Sequence, residues 1–261
     1  MPDKVTVPTI RSLRSKGSKI VSITAYDATL GALADAAGAD IILVGDSVGN
    51  TQLGYSSTLP VTLEEMIHHT RATRAGVQRA LLVADLPFGS YQASVADAVR
   101  SSVSLVKVGA ESVKLEGDYH EAIVEIVRAG IPVMGHVGMT PQSINQFGGF
   151  RVQGKGSKGQ PILDAAKRVQ DAGAYAVVLE LIPSDLAAQI TEELDIATIG
   201  IGAGPYCSGQ VQVIHDVLGL SPQPLKHARA YLDGRESIVR ALQQYSSEVR
   251  DGQFPSSEHS F

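Results

Sequence analysis

Cysteine occurs once in the chain, at Cys207. A single thiol excludes an internal disulfide framework and any zinc site built on cysteines. No block of lysine and arginine is present, and the net charge is −5 with a pI near 5.8. That balance argues against a nucleic-acid partner, which needs a basic patch or stripe. No apolar run reaches the length of a membrane span. The first eighteen residues are polar and basic (Lys4, Arg11, Arg14, Lys16) with no apolar stretch, so they are not expected to act as a secretory signal. A cytoplasmic protein is the default expectation.

What the chain does have is a beat. A helix tail ends in glycine and runs straight into a short apolar segment: Ala36-Ala37-Gly38 before 41, Arg74-Ala75-Gly76 before 80, and Val108-Gly109 before 112. The same happens at Ala129-Gly130 before 132 and at Ala172-Gly173 before 175. Glycine suits the left-handed position just past a helix, and a short continuous apolar run suits a strand buried on both faces. Helix starts are marked by Thr62-Leu63-Glu64-Glu65, Ser94-Val95-Ala96-Asp97 and Thr140-Pro141. Strands are expected at 20–24, 41–45, 81–85, 112–116, 132–136, 175–180, 196–201 and 211–215. Eight strands alternating with helices in 261 residues fit one α/β domain over 1–261, a (β/α)8 TIM barrel with a short N-terminal helix at 8–17. A doubly wound sheet of this length normally has fewer strands. Helix 235–249 is expected to close the fold, the Gly/Lys-rich stretch 148–159 to extend one loop, and the polar tail 252–261 to be peripheral.

Several apolar runs end on charge. Ile41-Ile42-Leu43-Val44-Gly45 leads to Asp46 and Ser47, Leu81-Leu82-Val83-Ala84 to Asp85, and Val177-Val178-Leu179 to Glu180. Lys114 and Glu116 flank Leu115, and His136 ends its own run. In a barrel these residues share the C-terminal rim, where active sites form. Side-chain alternation puts Lys114 and Glu116 on one face. Buried charges at a rim are expensive unless they meet ions or ligands. The donor set is rich in oxygen, with one histidine and no thiolate, which favours Mg²⁺ over Zn²⁺. A 2-oxo acid chelating such an ion has a polarised ketone and an acidified neighbouring C–H. Glu180, set among Leu179, Leu181 and Ile182, is expected to stand apart as the base, its pKa raised by apolar surroundings. Weaker signals read as structural: Asp27 as a helix cap, His68 and His69 as surface or interface residues, Asp216 as the end of strand eight, and Gly200-Ile201-Gly202-Ala203-Gly204 as a tight turn. Tyr26 and Asp27 are also candidates to line the pocket.

The segments Val44-Gly45-Asp46-Ser47-Val48-Gly49, Ala84-Asp85-Leu86-Pro87-Phe88, Val113-Lys114-Leu115-Glu116-Gly117 and Gly135-His136-Val137-Gly138-Met139-Thr140-Pro141-Gln142-Ser143 resemble, in order, the signature segments of the ketopantoate hydroxymethyltransferases. The resemblance runs from about residue 8 to the end. It implies transfer of a hydroxymethyl group from 5,10-methylenetetrahydrofolate to 3-methyl-2-oxobutanoate through a metal-stabilised enolate, in pantothenate synthesis, by a homo-oligomer, typically a decamer. It implies Asp46, Asp85 and Glu116 as Mg²⁺ ligands, Glu116 through water. It further implies Ser47 and Lys114 on the carboxylate end of the oxo acid, His136 against substrate or product, and Glu180 as the base at C3. Asp46 and Asp85 then serve both metal and substrate. Two positions depart from the family: Leu181, where cysteine is common, expected to point away from the site, and Ser208, where aspartate is common, expected on the folate side. The alternative reading is a Mg²⁺-dependent 2-oxo acid lyase or mutase of the phosphoenolpyruvate mutase/isocitrate lyase group, with a Schiff-base aldolase on Lys114 as a variant.

Overall fold

Four of the five repeats of helix tail, glycine and apolar run fold as their composition asks, with Gly38, Gly109, Gly130 and Gly173 left-handed; Gly76 instead ends the helix Leu63–Gly76 inside its last turn, where a Cβ would stand 2.0 Å from the Ala28 carbonyl oxygen. The computed structural model describes residues 3–223 and 225–261. Its strands are β1 (Ile20–Thr24), β2 (Ile41–Val44), β3 (Leu81–Asp85), β4 (Ser112–Lys114), β5 (Val133–Gly138), β6 (Ala176–Glu180), β7 (Ala197–Ile201) and β8 (Gly209–Gln212). They form one closed barrel in chain order, every pair parallel, with β8 returning to β1. The helices are α1 (Val7–Ser15), α2 (Ala28–Ala36), α3 (Val48–Thr51), α4 (Leu63–Gly76), α5 (Val95–Lys107), α6 (His120–Arg128), α7 (Ile144–Phe147), α8 (Gly159–Asp171), α9 (Ser184–Glu193), α10 (Ile214–Val217) and α11 (Gly234–Arg250). Among the described residues no helix is long and apolar enough to cross a membrane.

The caps form at Thr62, Ser94 and Asp27, whereas Thr140 stands before Pro141 at the start of a three-residue turn without a side-chain cap bond. Thr62 closes a capping box with Glu65, Ser94 accepts from the Asp97 N–H, and Asp27 caps α2 through the Leu30 N–H. The chain makes two compact units, Met1–Val213 and Ile214–Phe261. The first holds the whole barrel. The second holds α10, α11 and the tail, where Phe254 packs on the Tyr245 ring.

Strand alternation fills the barrel interior. Ile41 and Leu43, Leu81 and Val83, Ala176 and Val178, and Ala197 and Ile199 share one core cluster with Met134 and Val211. Val5 and Ile10 join that cluster, so α1 and the segment leading into it plug the N-terminal end. Burying Ile10 completely contributes about 1.5–3 kcal/mol. Two residues further along the same inward face come Asp85 after Val83, His136 after Met134 and Glu180 after Val178. The period of two that builds the apolar layers therefore also aims the charges into the mouth.

Strand eight differs from expectation. It spans 209–212 rather than 211–215, and Asp216 lies in α10 rather than ending a strand. The cause is Gly209, which pairs with both Ile20 and Ile199; a Cβ there would stand 2.4 Å from the Ile20 carbonyl oxygen. A glycine admitted by that close approach begins the strand. Ser208 is also not at the mouth. It hydrogen-bonds Thr198 at the start of β7, and its carbonyl accepts from the Ile20 N–H, so this departure sits at the opposite end of the barrel.

The loop from α4 to β3 is tied down by Asp35. Its carboxylate accepts from the backbone N–H groups of Gln78, Arg79 and Ala80 at 2.8, 2.8 and 2.6 Å. Burial raises its pKa, but the three donors outweigh this and hold it below the ordinary aspartate value. Asp35→Ala is expected to lower stability by about 1.5–3 kcal/mol, measured by urea unfolding at neutral pH. Because the folded pKa is depressed, this contribution is present above the ordinary carboxylate pKa. It disappears as pH falls through the lower folded value, so wild type and variant should converge in acid.

Candidate active site

Six charged side chains from five consecutive strand ends meet at the C-terminal mouth. Asp46, Asp85, Lys114, Glu116 and His136 are each no more than 5% exposed, whereas the Glu180 side chain is 15% exposed. Burial of so much charge is tolerable only through mutual pairing, and the register supplies it. Asp85 on β3 lies directly beside Lys114 on β4, and Lys114 Nζ stands 2.9 Å from Asp85 Oδ1. This is an ion pair whose angles fall outside a hydrogen bond. Asp85 Oδ2 accepts from the Asp46 N–H at 3.0 Å, which joins β2 to β3 across the mouth. Asp46 itself lies past the end of β2, so strand alternation does not set its direction. The turn at Gly45 does: a Cβ on Gly45 would lie 2.7 Å from Ser47 Oγ and 3.5 Å from Asp85 Oδ2. Only glycine leaves that space clear.

His136 sits between two carboxylates. Its Nδ1 is 3.5 Å from Glu116 Oε1 and its Nε2 is 3.3 Å from Glu180 Oε2. Both are charge contacts rather than aligned hydrogen bonds. Burial and the Lys114 charge lower the imidazole pKa, yet Glu116 and Glu180 outweigh them and hold it at about 9. The expectation that Glu180 stands apart in apolar surroundings is thereby corrected: its neighbour is a cationic imidazole. The backbone at Glu180 is fixed closely. Its carbonyl accepts from the Met139 N–H at 2.9 Å, an approach that Gly138 permits, since a Cβ there would fall 2.3 Å from the same oxygen. The next residue, Leu181, is the one non-glycine with positive φ (45°) among the described residues. Its neighbours hold it there: its N–H donates to the Ile201 carbonyl and its carbonyl accepts from the Gln153 N–H.

The remaining candidates fall into place around these. Ser47 is half-buried, with Oγ 2.9 Å from Tyr26 Oη, so Tyr26 belongs to the site's wall. Asp27, by contrast, is spent on the α2 cap. His69 is not a free surface histidine; its Nδ1 lies 2.8 Å from the Tyr26 carbonyl oxygen. Two residues of the site carry no signal of their own in the strand pattern. Gln142, just past β5, donates through Nε2 to Asp46 Oδ2 at 2.8 Å and through its backbone N–H to Glu116 Oε2 at 2.9 Å. Tyr91 Oη accepts from the Glu116 N–H at 3.1 Å. The signal for Gln142 is its place in Thr140-Pro141-Gln142, a cap and first turn set directly on the end of β5.

The electrostatics suit a cation. Burial, then Glu116 and Asp85, push the Asp46 carboxyl well above the usual range. Burial likewise raises Asp85, against the pull of Lys114. Burial would lower Lys114, but Asp85, Glu116 and Asp46 hold it above the ordinary lysine range. Among the described residues no three His, Cys, Asp or Glu side chains close into a preformed metal cage. A Mg²⁺-type ion needs none: it is held by one or two carboxylates and keeps water and substrate oxygens. Among the described residues no hydrogen bond reaches Asp46 Oδ1, the Gln142 amide taking Oδ2, and Asp85 stands beside it. The two offer hard oxygen ligands where negative charge is in excess.

Comparison with known proteins gives the same direction over the whole length. The profile of the ketopantoate hydroxymethyltransferase family matches residues 4–257. The 3-methyl-2-oxobutanoate hydroxymethyltransferase of Carboxydothermus hydrogenoformans is 51% identical, covering 99% of this chain and 96% of that protein. The enzyme of the same name from Chloroflexus aurantiacus is 52% identical, covering 98% and 92%. Among solved structures, phosphoenolpyruvate phosphomutase from Streptomyces platensis subsp. rosaceus has a TM-score of 0.65 at 14% identity, covering 94% of this chain and 88% of that one. Phosphonopyruvate hydrolase in complex with oxalate and Mg²⁺ has a TM-score of 0.63 at 13% identity, covering 97% and 92%. At such identities the two structures share the fold alone. With half of all positions identical to the named transferases from end to end, the chain belongs to the ketopantoate hydroxymethyltransferase family.

Proposed function

We propose that the chain transfers the one-carbon unit of 5,10-methylenetetrahydrofolate to C3 of 3-methyl-2-oxobutanoate as a hydroxymethyl group, water supplying the hydroxyl and tetrahydrofolate leaving, to give ketopantoate, with Mg²⁺ held by Asp46 and Asp85 and by Glu116 through water. Membership of the family makes it a transferase; the residue roles are our reading. The observation that carries them is the meeting of Asp46, Asp85, Lys114, Glu116, His136 and Glu180 at one barrel mouth. When bound, the ion polarises the 2-oxo group and so acidifies the C3 proton.

The chain's own residues do the rest. Lys114, kept cationic by its carboxylate neighbours, and Ser47 hold the carboxylate end of the oxo acid. Glu180 takes the C3 proton. His136, charged and flanked by Glu116 and Glu180, orients that base and contacts substrate or product. A homo-oligomer fits the apolar side chains that α11 leaves exposed, Ile238, Leu242 and Tyr245 among them. A Schiff base on Lys114 is disfavoured, because an ion-paired ammonium carries no lone pair for attack on a ketone. A lyase or mutase has only shared fold in its support.

The test is product formation followed by NMR with 3-methyl-2-oxobutanoate and 5,10-methylenetetrahydrofolate. Ketopantoate should appear, cease with excess chelator and return on adding Mg²⁺. Full activity in chelator contradicts the metal assignment, and trapping of substrate on Lys114 by borohydride contradicts the mechanism.

A further inference from the structure

We infer that Gln142 is the positioning residue that aims the metal-holding carboxylates. The inference rests on the metal reading above. Gln142 is buried in the short turn Pro141–Ser143 that follows β5. Every hydrogen-bonding position of its amide is used. Nε2 donates to Asp46 Oδ2 at 2.8 Å and to the Leu86 carbonyl at 3.0 Å. Oε1 accepts from Tyr91 Oη at 2.8 Å and from Gln92 Nε2 at 2.9 Å. Its backbone N–H adds the bond to Glu116. One residue beyond β5 thus ties together the loops after β2, β3 and β4.

The orientation of the amide is determined by a chain of donors. The Gly89 N–H donates to Gln92 Oε1 at 2.7 Å, which turns Gln92 Nε2 toward Gln142. Gln142 must then present Oε1 to Gln92 and Nε2 to Asp46. The reverse orientation would set its carbonyl oxygen against a carboxylate oxygen and its NH₂ against the Gln92 NH₂. With Asp46 Oδ2 held in this way, Oδ1 is the oxygen left for a ligand. The choice of a neutral amide has a chemical reason. Arginine or lysine at this point would also bond Asp46, but would bring a fixed positive charge into competition with the metal ion. An amide offsets part of the repulsion among Asp46, Asp85 and Glu116 without that competition. Groups that orient metal ligands in this manner typically change metal affinity about 10–100-fold when removed.

The test uses the full chain with Mn²⁺ as the probe, its free concentration read by electron paramagnetic resonance, with and without 3-methyl-2-oxobutanoate. Gln142→Leu, shown folded by its thermal transition, should bind Mn²⁺ about 10–100-fold more weakly, with kcat recovering toward wild type as Mn²⁺ is raised to saturation. Gln92→Leu, which frees the Gln142 amide without touching Asp46, should weaken binding several-fold. A folded Gln142→Leu protein with wild-type Mn²⁺ affinity overturns the inference. Should that variant fail to fold, wild-type affinity in Gln92→Leu overturns it instead. Wild-type protein that binds no Mn²⁺ in either condition removes the metal reading itself, and this inference with it.

Discussion

Glu180→Gln is expected to bind 3-methyl-2-oxobutanoate about as tightly as wild type and to turn it over about 10²–10⁴-fold more slowly. Glutamine keeps the size of the side chain and a contact to His136, but it cannot accept a proton at neutral pH. The loss therefore falls on kcat rather than on binding, the pattern of an interaction that matters only in the transition state. The geometry gives the reason for choosing this carboxylate over its neighbours. Asp46, Asp85 and Glu116 are closed in by Gln142, Lys114 and one another. Glu180 is the most exposed of the four, ends β6 on the inward face, and has its backbone pinned by Met139 and by the strained turn at Leu181. Calorimetry for binding and single-turnover kinetics for chemistry separate the two effects.

Asp85→Ala and Asp46→Ala are both expected to abolish metal-dependent binding of the oxo acid, yet to change stability in different ways. Asp85 is the ion-pair partner of the buried Lys114 and the acceptor for the Asp46 N–H. Its removal leaves a buried ammonium without its nearest counter-charge, a change that costs about 3–5 kcal/mol. Among the described residues Asp46 makes no ion pair, and burial and its carboxylate neighbours outweigh the attraction of Lys114 there. It is buried against Glu116 and Asp85, which repel it, and the Gln142 amide retains the Leu86 carbonyl as an acceptor. Asp46→Ala should therefore unfold in urea near the wild-type midpoint when metal is withheld, while Asp85→Ala unfolds much earlier. Equal and large destabilisation by both would contradict the pairing of Asp85 with Lys114 as the main support of the site.

Much of this site is legible in the sequence because one physical rule governs it. A barrel strand alternates, so an apolar layer at Val83, Met134 or Val178 commits the residue two places on to the same interior. Asp85, His136 and Glu180 can be read off that way, and Lys114 pairs with Asp85 because neighbouring parallel strands bring them into register. Asp46 is legible for another reason, as a carboxylate beside Gly45 at the end of a buried run. The rest depends on contacts between loops, which carry no period. Gln142 looks like any polar residue in a turn; only the meeting of the loops after β2, β3 and β5 reveals that its amide is fully used. Glu180 has apolar sequence neighbours, but the neighbour that sets its charge environment is His136 on the adjacent strand. Strand eight is expected two residues late because glycine is a poor strand former, whereas here the missing Cβ of Gly209 is what lets the strand close the barrel.

The central claim is that Glu180 removes the C3 proton of a metal-polarised oxo acid. Hydrogen exchange at C3 of 3-methyl-2-oxobutanoate in D₂O, without the one-carbon donor, tests it most directly. In proton NMR the methyl doublet should collapse to a singlet with wild-type enzyme and Mg²⁺, and remain a doublet with chelator or with Glu180→Gln. Wild-type-rate exchange catalysed by Glu180→Gln, or no exchange by the wild-type enzyme, would contradict the account.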